Sequence, residues 1–555
     1  MRSFLPFVVL ISVVRTAAGQ GPPSTPASPR QVSTAAASHD NTASPAGPIE
    51  RLDDPHVPPA ALRAQTTTPS GTITFNGFTS VQVNVDADGN NIVGDAANEP
   101  SIAVDPAHPN RMAIGWRQFD TVVNNFRQAG WGYSRNGGRT WIFPGVLERG
   151  VFRSDPVLEA DADGTFYYNS LTTDENTYWC NVFKSTNGGR TWDAGIYAYG
   201  GDKQWMAIDR TGGIGHGNIY YAWDYAGCCG NDWFTRSTNG AASFEPPVPI
   251  PEKPMWGVTA VGPDGEVYIA GRRFTTNTAF ILAKASTIQN PASPLAFDFA
   301  VQVDLGGNLQ YALGTGPNPG GLLGQVWVAA DHSAGPTRGY VYMLSSVDPP
   351  EPDPLDVHFV RSIDGGLNWS APIRVNDDPI GANAWQWFGT MDVAPNGRVD
   401  VVWNDTRNDP AGVDSQLFYS YSLDTGQTWS PGVAVGPPFD PHLGWPNQAK
   451  LGDYYDMVSD KVGAHVAYAA TYNGEQDVYY VRLGEYDCNN NGVGDTTDII
   501  TASSTDYNAD GIPDECQTDV IPATSNWGLM ALAFSILVGA TLILRRGSVD
   551  ARRTA

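Results

Sequence analysis

Short runs in which apolar and polar residues alternate recur along the chain, and polar or glycine-rich turns separate them. Seven repeats have an apolar stretch that ends near a small acidic or glycine turn, followed by an aromatic or β-branched stretch. The seven first stretches begin at Ser101, Pro156, Trp205, Gly257, Val326, Gly389 and Asp456. Alternation with a period of two and enrichment in β-branched and aromatic residues predict strands rather than helices. A repeat of roughly 50 residues built from short strands predicts an all-β fold, a β-propeller of four-stranded blades.

One turn motif occurs five times within these repeats. Its copies are SRNGGRTW, STNGGRTW, STNGAASF, SIDGGLNW and SLDTGQTW, which begin at Ser134, Ser185, Ser237, Ser362 and Ser422. The Asp or Asn side chain is suited to accept backbone amides two residues on, and the glycine tolerates positive φ in a tight turn. The final aromatic residue begins the next strand and buries a large apolar face between sheets. We therefore expect each copy to connect two strands of a blade.

The motif resembles the Asp box of the sialidase (BNR-repeat) superfamily. The resemblance implies a propeller in which the boxes connect third and fourth strands on the face away from the active site. We therefore assign the boxes to the scaffold and expect no catalysis from them. Copies are spaced by roughly 50 residues except between Ser237 and Ser362, where the longer gap predicts one blade without a box.

The number of blades follows from the first stretches, which predict seven blades over residues 78–485. A six-bladed ring like the family's enzymes, with an extra hairpin, is the alternative. The seventh repeat, 447–485, ends after its third strand. The segment SVQVNVDADG at Ser80 is similar to the blade-ending segments at Pro372 and Ala300, so we expect it to supply the missing outer strand. Such closure removes the exposed edges of an open ring.

The N-terminal residues predict export. Residues 1–19 contain Arg2, an apolar run from Phe4 to Val14 and small residues after it, a pattern typical of a secretory signal peptide. Residues 20–70 are rich in Pro, Ala, Ser and Thr and predict a disordered linker. The chain has 58 acidic and 33 basic residues and a formal charge of -25, which disfavours nucleic acid and anionic lipid surfaces as general partners.

The C-terminal segment 520–555 predicts a membrane anchor. Residues 527–544 are apolar and just long enough to span a bilayer, and arginines follow from Arg545 onwards. A buried core helix is the alternative for this run. The tail resembles IPTL-type C-terminal sorting signals through Ile521, Pro522, Trp527 and Gly528, although Ala523 and Asn526 depart from that pattern. The resemblance implies attachment to the cell surface by a sorting machinery, with the transmembrane helix retained or removed.

The segment 486–518 predicts two calcium loops. Position one of the first loop is Asp487 and that of the second is Asp506, and a glycine stands at position six of each. The predicted ligands are Asp487, Asn489, Asn491, the Val493 carbonyl, Asp495 and Asp498 in the first loop, and Asp506, Asn508, Asp510, the Ile512 carbonyl and Asp514 in the second. Gln517 replaces the acidic residue at position twelve and weakens the second site. The pair resembles a dockerin or thrombospondin type-3 repeat, which implies structural Ca²⁺; a solvated acidic linker is the alternative.

Five cysteines in an exported chain predict disulfides. A bridge between Cys488 and Cys516 would enclose the acidic segment. A second bridge from Cys180 to either Cys228 or Cys229 would join two blades and leave one thiol.

The functional face of a propeller is built from the loops that enter the first strand and leave the second strand of each blade. The residues at these positions are Glu99, Arg117, Arg153, Asp155, Asp202, Lys203, Asp224, Arg272, Arg273, Trp385, Trp387, Asp405, Arg407, Lys450, Asp453, Tyr454 and Tyr455. Aromatic rings stack on sugars, while carboxylates and arginines hydrogen-bond to hydroxyls or acidic substituents. This composition predicts extracellular glycans as partners.

Sialidases of the family use three arginines, an acid/base Asp and a Tyr nucleophile activated by a Glu, with one Arg first and the Tyr last. The candidates in a compatible order are Arg117, Asp155, Arg272, Arg407 and Tyr454. The Phe-Arg-Ile-Pro signature is absent at Arg117, and no glutamate is evident beside the tyrosine. Arg117 and Arg407 also have a purely structural interpretation, as partners of Asp120 and Asp405. Three functions stay open: an exo-acting glycoside hydrolase, a non-catalytic glycan- or protein-binding adhesion module, and a structural envelope protein.

Overall fold

The computed structural model describes residues 55–56, 71–174, 177–276 and 278–517, all within one compact unit. The predicted signal peptide, nearly all of the linker and the tail 520–555 with the helix 527–544 lie outside the described residues. Among the described residues, no helix has the length and apolarity needed to cross a membrane. Two residues of the predicted linker are described: the Pro55 carbonyl accepts a 2.9 Å hydrogen bond from Asn124, and the His56 ring lies 5.1 Å from the Phe126 ring.

The described strands form seven antiparallel sheets, each led by one of the predicted first strands. The seven-bladed propeller is therefore confirmed, and the six-bladed alternative is wrong. The first hairpin is β1 (Thr72–Phe75) and β2 (Phe78–Gln82). Blade 1 is β3 (Ala96–Val104), β4 (Met112–Phe119), β5 (Gln128–Ser134) and β6 (Ile142–Val146). Blade 2 is β7 (Ser154–Ala160), β8 (Phe166–Thr173), β9 (Tyr178–Ser185) and β10 (Ile196–Tyr197). Blade 3 is β11 (Trp205–Ile208), β12 (Ile219–Ala222) and β13 (Phe234–Ser237).

The remaining blades follow the same order from the inner to the outer strand, except that the inner strand of blade 4 is divided. Blade 4 is β14 (Pro254–Met255), β15 (Thr259–Val261), β16 (Val267–Arg273), β17 (Phe280–Ala285) and β18 (Phe299–Val303). Blade 5 is β19 (Trp327–Ala330), β20 (Val341–Val347), β21 (Asp356–Ser362) and β22 (Ile373–Arg374). Blade 6 is β23 (Gln386–Val393), β24 (Val399–Asp405), β25 (Gln416–Ser422) and β26 (Val433–Ala434). Blade 7 has β27 (Asp456–Ser459), β28 (Gly463–Ala470) and β29 (Asp477–Gly484).

The N-terminal segment closes the ring, as predicted. β2 pairs antiparallel with β29, with Ser80 opposite Val481, and β1 adds a fifth strand outside it. Asn84 strengthens this closure because its amide donates to Asp477 (2.8 Å) and its carbonyl oxygen accepts from the Val478 amide (3.0 Å). The strand pairing starts at Thr72, a few residues before the predicted boundary at 78.

The five Asp boxes share one pair of hydrogen bonds. In blade 1 the Gly138 amide donates to Ser134 Oγ (2.9 Å), and the Thr140 amide donates to Asn136 Oδ1 (3.0 Å). The acceptor side chain therefore reaches an amide four residues on, rather than two as expected. The equivalent serine contacts in the other boxes measure 2.8–3.1 Å. The boxes connect third and fourth strands, and we call the face on which they lie the lower face.

Blade 4 is the predicted blade without a box. Its turn after β17 is held from blade 3 by Arg236, which donates to the carbonyls of Asn290 (3.0 Å) and Ser293 (3.2 Å). Arg236 also pairs with Glu245 at 2.7 Å and is almost completely buried. The Arg236 guanidinium of the neighbouring blade thus hydrogen-bonds to the carbonyls of this turn, which has no box.

A small acidic segment follows blade 7. It contains α1 (Asp495–Thr501) and a single 3-10 turn, Asp514–Cys516, and the predicted disulfide Cys488–Cys516 is present. The other disulfide joins the adjacent Cys228 and Cys229, while Cys180 is a free, buried thiol 3.8 Å from the Gly201 carbonyl. Both expected pairings of Cys180 are therefore wrong, because the vicinal pair satisfies itself within one loop.

Candidate functional site

The upper face, opposite the Asp boxes, has charged residues where the inner strands of three blades begin. Glu99, Asp155 and Lys203 have φ values of 51°, 47° and 52°, in the left-handed region. The pairing of β3 with β4 shifts register at Glu99, and that of β7 with β8 shifts at Asp155. Such bulges redirect a side chain out of the regular alternation of a strand.

These side chains meet in an ion-pair network at the centre of the ring. Lys203 Nζ lies 2.9 Å from Asp155 Oδ2 and 2.7 Å from Asp453 Oδ2. Lys450 Nζ lies 2.8 Å from the same Asp453 oxygen, and Arg117 Nε lies 3.1 Å from Glu99 Oε2. We call these six residues the central network: Glu99, Arg117, Asp155, Lys203, Lys450 and Asp453. None of their side chains is more than 7% exposed, so they bind blades 1, 2, 3 and 7 together out of contact with solvent.

Burial dominates the electrostatics of the network. It raises the pKa of Glu99 to about 8, although Arg117 and Lys203 act in the opposite direction. Burial alone would lower the pKa of Lys203, but the carboxylates of Asp155 and Asp453 outweigh it and raise that pKa well above the ordinary value. Lys203 is therefore a fixed positive charge in this arrangement.

Tyr454 lies directly beside the network and is protonated. Burial raises its pKa well above the ordinary value, and the negative charges of Glu99 and Asp155 raise it further. Its hydroxyl donates a 2.9 Å hydrogen bond to the Pro156 carbonyl. Beneath it, the Trp205 ring lies edge-on to the Tyr454 ring at 5.3 Å and to the Trp327 ring at 5.2 Å.

A loop between blades 4 and 5 covers this centre from above, and we call residues 311–323 the cover loop. Its fully buried Asn318 donates to the Gly452 carbonyl (2.8 Å) and accepts from the Leu451 amide (2.8 Å). The Leu322 amide donates to Asp453 Oδ1 at 2.8 Å. The cover loop therefore reaches across the ring to blade 7 and seals the central network.

The structure brings together three of the five predicted catalytic residues: Arg117, Asp155 and Tyr454. Arg407 lies elsewhere, since it pairs with Asp405 at 2.8 Å and with Asp378 at 3.5 Å, and its guanidinium lies 4.6 Å from the Phe418 ring centre. The structural interpretation of Arg407 as a partner of Asp405 is thus confirmed. Arg117 also pairs with a carboxylate, but that carboxylate belongs to Glu99 and not to the predicted Asp120. Asp120 lies beside His56 and Arg149. The catalytic role of the five residues stays a prediction.

The glutamate beside the tyrosine is Glu99, which the sequence reasoning placed on the rim without assigning it to Tyr454. Glu99 precedes Pro100, as Asp155 precedes Pro156, at the same point of two consecutive inner strands. An acidic residue followed by proline at this point of an inner strand was the sequence pattern that could have identified Glu99 as a site residue. It did not reveal the partner because Glu99 and Tyr454 are in the first and the last blade.

Arg272 belongs to a second upper-face cluster, formed by blades 3 and 4 and by the first residue of the cover loop. Its guanidinium lies 4.0 Å from the centre of the Trp256 ring and 5.5 Å from that of Tyr311. Phe274 lies 5.5 Å from Tyr225, and Lys253 Nζ lies 5.6 Å from the Phe274 ring. We call this cluster the aromatic–basic patch: Tyr225, Lys253, Trp256, Arg272, Arg273, Phe274 and Tyr311.

Arg272 is a buried arginine that makes no ion pair with the described residues. It is 7% exposed, its Nε has no hydrogen-bond partner, and no carboxylate lies within 4.0 Å among the described residues. Its Nη1 makes one long bond, 3.4 Å, to the Arg273 carbonyl. Burial lowers the pKa of Arg272, and Tyr311 and Asp224 counteract this only in part. The patch therefore holds a cation whose hydrogen-bonding capacity is largely unused.

The lower face opens into a central cavity of about 400 Å³ between the inner strands. Its lining includes Trp205, Trp327, Glu159, Asp392 and Asp456. Burial raises the pKa of Asp392 to about 7 and that of Asp456 to about 8. Both carboxylates act between blades, since Asp392 accepts from the Ser459 amide (2.6 Å) and Asp456 accepts from Ser101 Oγ (2.6 Å). These acids hold adjacent blades together.

Both predicted calcium loops fold into the same turn. Asp487 accepts from the amides of Asn491 (3.0 Å) and Gly492 (2.8 Å), and Asp506 accepts in the same way from Asp510 (3.2 Å) and Gly511 (2.9 Å). The first loop is anchored to blade 1 because Arg139 lies 3.4 Å from Asp495, and its guanidinium lies 3.8 Å from the Tyr486 ring centre.

Neither a protein-family model nor a curated protein matches this chain. Solved structures do resemble it. A protein of unknown function from Dyadobacter fermentans is 15% identical, with 75% of this chain and 99% of that chain covered and a TM-score of 0.42. A GH93 α-L-arabinofuranosidase of Fusarium graminearum is 12% identical, with 75% and 98% covered and a TM-score of 0.38. The NanB sialidase of Streptococcus pneumoniae is 10% identical, with 75% and 71% covered and a TM-score of 0.36. Similarity at this level indicates neither an activity nor a substrate for this chain.

Proposed function

We propose that this propeller binds anionic extracellular glycans on its upper face through the aromatic–basic patch and does not hydrolyse them. The observation that carries the proposal is the state of Arg272, a buried guanidinium with an unused Nε donor and no carboxylate partner. Burying a charge without a partner is costly unless a ligand or water supplies hydrogen bonds. A ligand carboxylate matches the planar donor pair of a guanidinium.

The surroundings of Arg272 suit an acidic sugar. Tyr225, Phe274 and Tyr311 are partly exposed aromatic side chains, a type of residue that stacks on pyranose rings. Lys253 adds positive charge, in a chain whose net charge is -25, while the guanidinium of Arg273 is paired with Glu252 at 2.9 Å. This local surplus favours an anionic ligand over a neutral one.

The state of the central network argues against hydrolysis. A general acid/base must reach the substrate, and a tyrosine nucleophile must be able to lose its proton. Asp155 is held by Lys203 beneath the cover loop, and the pKa of Tyr454 is raised well above its ordinary value. Both groups therefore stabilise the ring in this structure.

Calorimetric titration of the mature protein with oligosaccharides of uronic or sialic acid tests the binding. We expect Arg272→Gln to weaken binding by about 10-fold or more, since a charge-assisted hydrogen bond contributes about 1.5–3 kcal/mol. Arg338→Gln is the matched control, because Arg338 is exposed on the lower face beside Asp264 and should leave the affinity unchanged. Equal affinity of Arg272→Gln and the wild type, or equal binding of neutral sugars, would overturn the proposal.

Glycoside hydrolysis is the second candidate, favoured by one observation. Glu99 is close enough to Tyr454 to raise the pKa of the tyrosine, so a Tyr and a Glu do stand side by side. Catalysis would require displacement of the cover loop, which is bonded to Gly452 and Asp453. The five predicted residues Arg117, Asp155, Arg272, Arg407 and Tyr454 would have to be rearranged as well.

We propose that the acidic segment binds structural Ca²⁺. The donor set fits this ion because it consists of carboxylate, amide and carbonyl oxygens, with Gly492 and Gly511 at φ of 85° and 79° where the loops turn. Asp487, Asn489, Asn491, the Val493 carbonyl and Asp498 would hold the ion of the first loop, while Asp495 is bonded to Arg139 and to the Cys488 amide. Asp506, Asn508, Asp510, the Ile512 carbonyl and Asp514 would hold the ion of the second loop. Chelation is expected to lower the melting temperature, and Asp487→Asn should reduce the calcium content by one ion. An unchanged melting temperature on chelation would contradict this assignment.

We propose that the protein is exported and attached to the cell surface. The proposal is supported by the signal-like residues 1–19 and by the apolar run 527–544 followed by arginines. Mass spectrometry of the protein isolated from intact cells should find a new N-terminus near residue 20. Surface protease digestion should degrade the propeller in intact cells, and resistance comparable to that of an intracellular marker would contradict export.

A further inference from the structure

A third upper-face cluster, on blade 5, has the chemistry of a metal site. One ligand atom from each of Glu351, Asp356 and His358 lies within 4.8 Å of the other two. Asp356 and His358 are two residues apart on β21, so their side chains lie on the same side of the sheet. Glu351 comes from the loop that enters this strand. We propose that these three side chains bind a divalent transition metal of the zinc type.

The hydrogen bonding of the histidine leaves one ring nitrogen available to a metal. His358 Nδ1 donates a 2.8 Å hydrogen bond to the Leu305 carbonyl, at the end of blade 4. Nδ1 therefore carries the ring proton, and Nε2 keeps its lone pair. Nε2 has no hydrogen-bond partner, although the residue is only 6% exposed. A metal-ligating histidine commonly has its second nitrogen bonded to a carbonyl in this way.

The aspartate likewise has one oxygen that no neighbouring group occupies. Asp356 Oδ1 accepts from Arg374 Nε (2.7 Å) and from the Asn376 amide (2.6 Å), while Oδ2 is buried with no hydrogen-bond partner. One oxygen is thus fixed by neighbours and the other is left for a cation. An unsatisfied buried carboxylate oxygen is costly in the absence of a ligand.

The local charge also favours a cation. Arg374 lies 2.9 Å from Asp378, which Arg407 also contacts at 3.5 Å, and 4.0 Å from Asp353. Together with Asp356, three carboxylates share the charge of Arg374. The partly buried Glu351 makes no ion pair among the described residues. A negative surplus therefore stays at the point where the three side chains meet.

The ligand types favour zinc over calcium. Imidazole nitrogen is a good ligand for zinc and a poor one for calcium, which takes six or more oxygens. Zinc bonds to nitrogen and carboxylate oxygen at about 2.0–2.2 Å, so side chains whose ligand atoms lie within 4.8 Å need only small rotations to bind it. Three protein ligands leave the fourth position of a tetrahedral ion for water.

Titration of the mature protein with Zn²⁺ tests the proposal. The protein is first stripped with chelator and then kept in excess Ca²⁺, so that the acidic segment does not contribute. We expect one Zn²⁺ per chain with a dissociation constant of about 1 μM or tighter. Both His358→Gln and Glu351→Gln should weaken binding by at least about 10-fold.

His332→Gln is the matched control, because His332 bonds to the Val261 carbonyl on the lower face. It should bind Zn²⁺ as the wild type does. Glu351→Gln keeps the test valid if His358→Gln does not fold. Failure of the wild type to bind Zn²⁺, or unchanged affinity in both Gln variants, would overturn the proposal without bearing on glycan binding at Arg272.

Discussion

The ammonium group of Lys203 lies 2.9 Å from the carboxylate of Asp155, although the two residues begin the inner strands of different blades. The same ammonium group reaches Asp453 of the last blade at 2.7 Å. One lysine therefore connects both sides of the point at which the ring closes.

Replacement of Lys203 by Met should destabilise the propeller strongly. The change leaves Asp155 and Asp453 buried with less positive charge, and breaking a buried pair costs about 3–5 kcal/mol. Urea unfolding followed by tryptophan fluorescence measures the change in the free energy of unfolding. Lys461→Met removes an exposed lysine and should stay within about 0.5 kcal/mol of the wild type. Equal losses in the two variants would show that the central network is not a stabilising element.

The buried acids of the lower cavity should make stability fall as pH rises. Burial raises the pKa of Asp456 to about 8, whereas an unfolded Asp titrates near about 3.9. Between these values the folded protein keeps a proton that the unfolded chain has lost, so this contribution is complete below about pH 4 and is lost towards about pH 8. Asp456→Asn removes the titration and should reduce the decline between pH 5 and pH 8 by about 3–4 kcal/mol.

Urea unfolding of both proteins at the two pH values measures this difference. Other titrating groups are common to the wild type and the variant, so they cancel. An identical decline in both proteins would contradict the raised pKa of Asp456.

The glycine of the first Asp box should be replaceable only at a high cost, although the third box has Ala241 at the equivalent position with a φ of 61°. Gly138 has a φ of 83°, and a Cβ there would overlap the Tyr480 ring of blade 7. Gly217 has a similar φ of 79° but has nothing within 4 Å of the same position. Gly138→Ala should therefore lower the free energy of unfolding by about 1–3 kcal/mol more than Gly217→Ala does. Equal losses in the two variants would mean that the positive φ alone, without the contact with Tyr480, makes glycine favourable at this position.

Local sequence patterns predicted the ring because each blade repeats them. The boxes at Ser134 and Ser362, the alternation of the strands and the closing segment at Ser80 are visible within short windows. The pairing of Cys488 with Cys516 was equally accessible, because both cysteines flank one acidic segment.

The contacts of the site could not be predicted in the same way, because they join residues of different blades at strand bulges. Glu99 meets Arg117 because the positive φ of Glu99 interrupts the alternation of β3. Arg272 lies apart from Arg117, Asp155 and Tyr454, and Trp256 and Tyr311 from two separate loops enclose it. The sequence did not indicate His358 as a ligand, because its neighbours Glu351 and Leu305 lie in loops without a recognisable motif.

The central claim is that the upper face binds an acidic glycan without cleaving it, and incubation of the mature protein with a bound acidic oligosaccharide tests this most directly. Mass spectrometry of the sugar after prolonged incubation at saturating protein should show the oligosaccharide intact. Accumulation of a shorter sugar by the wild type, absent in Asp155→Asn and in Tyr454→Phe, would contradict the account and establish hydrolysis.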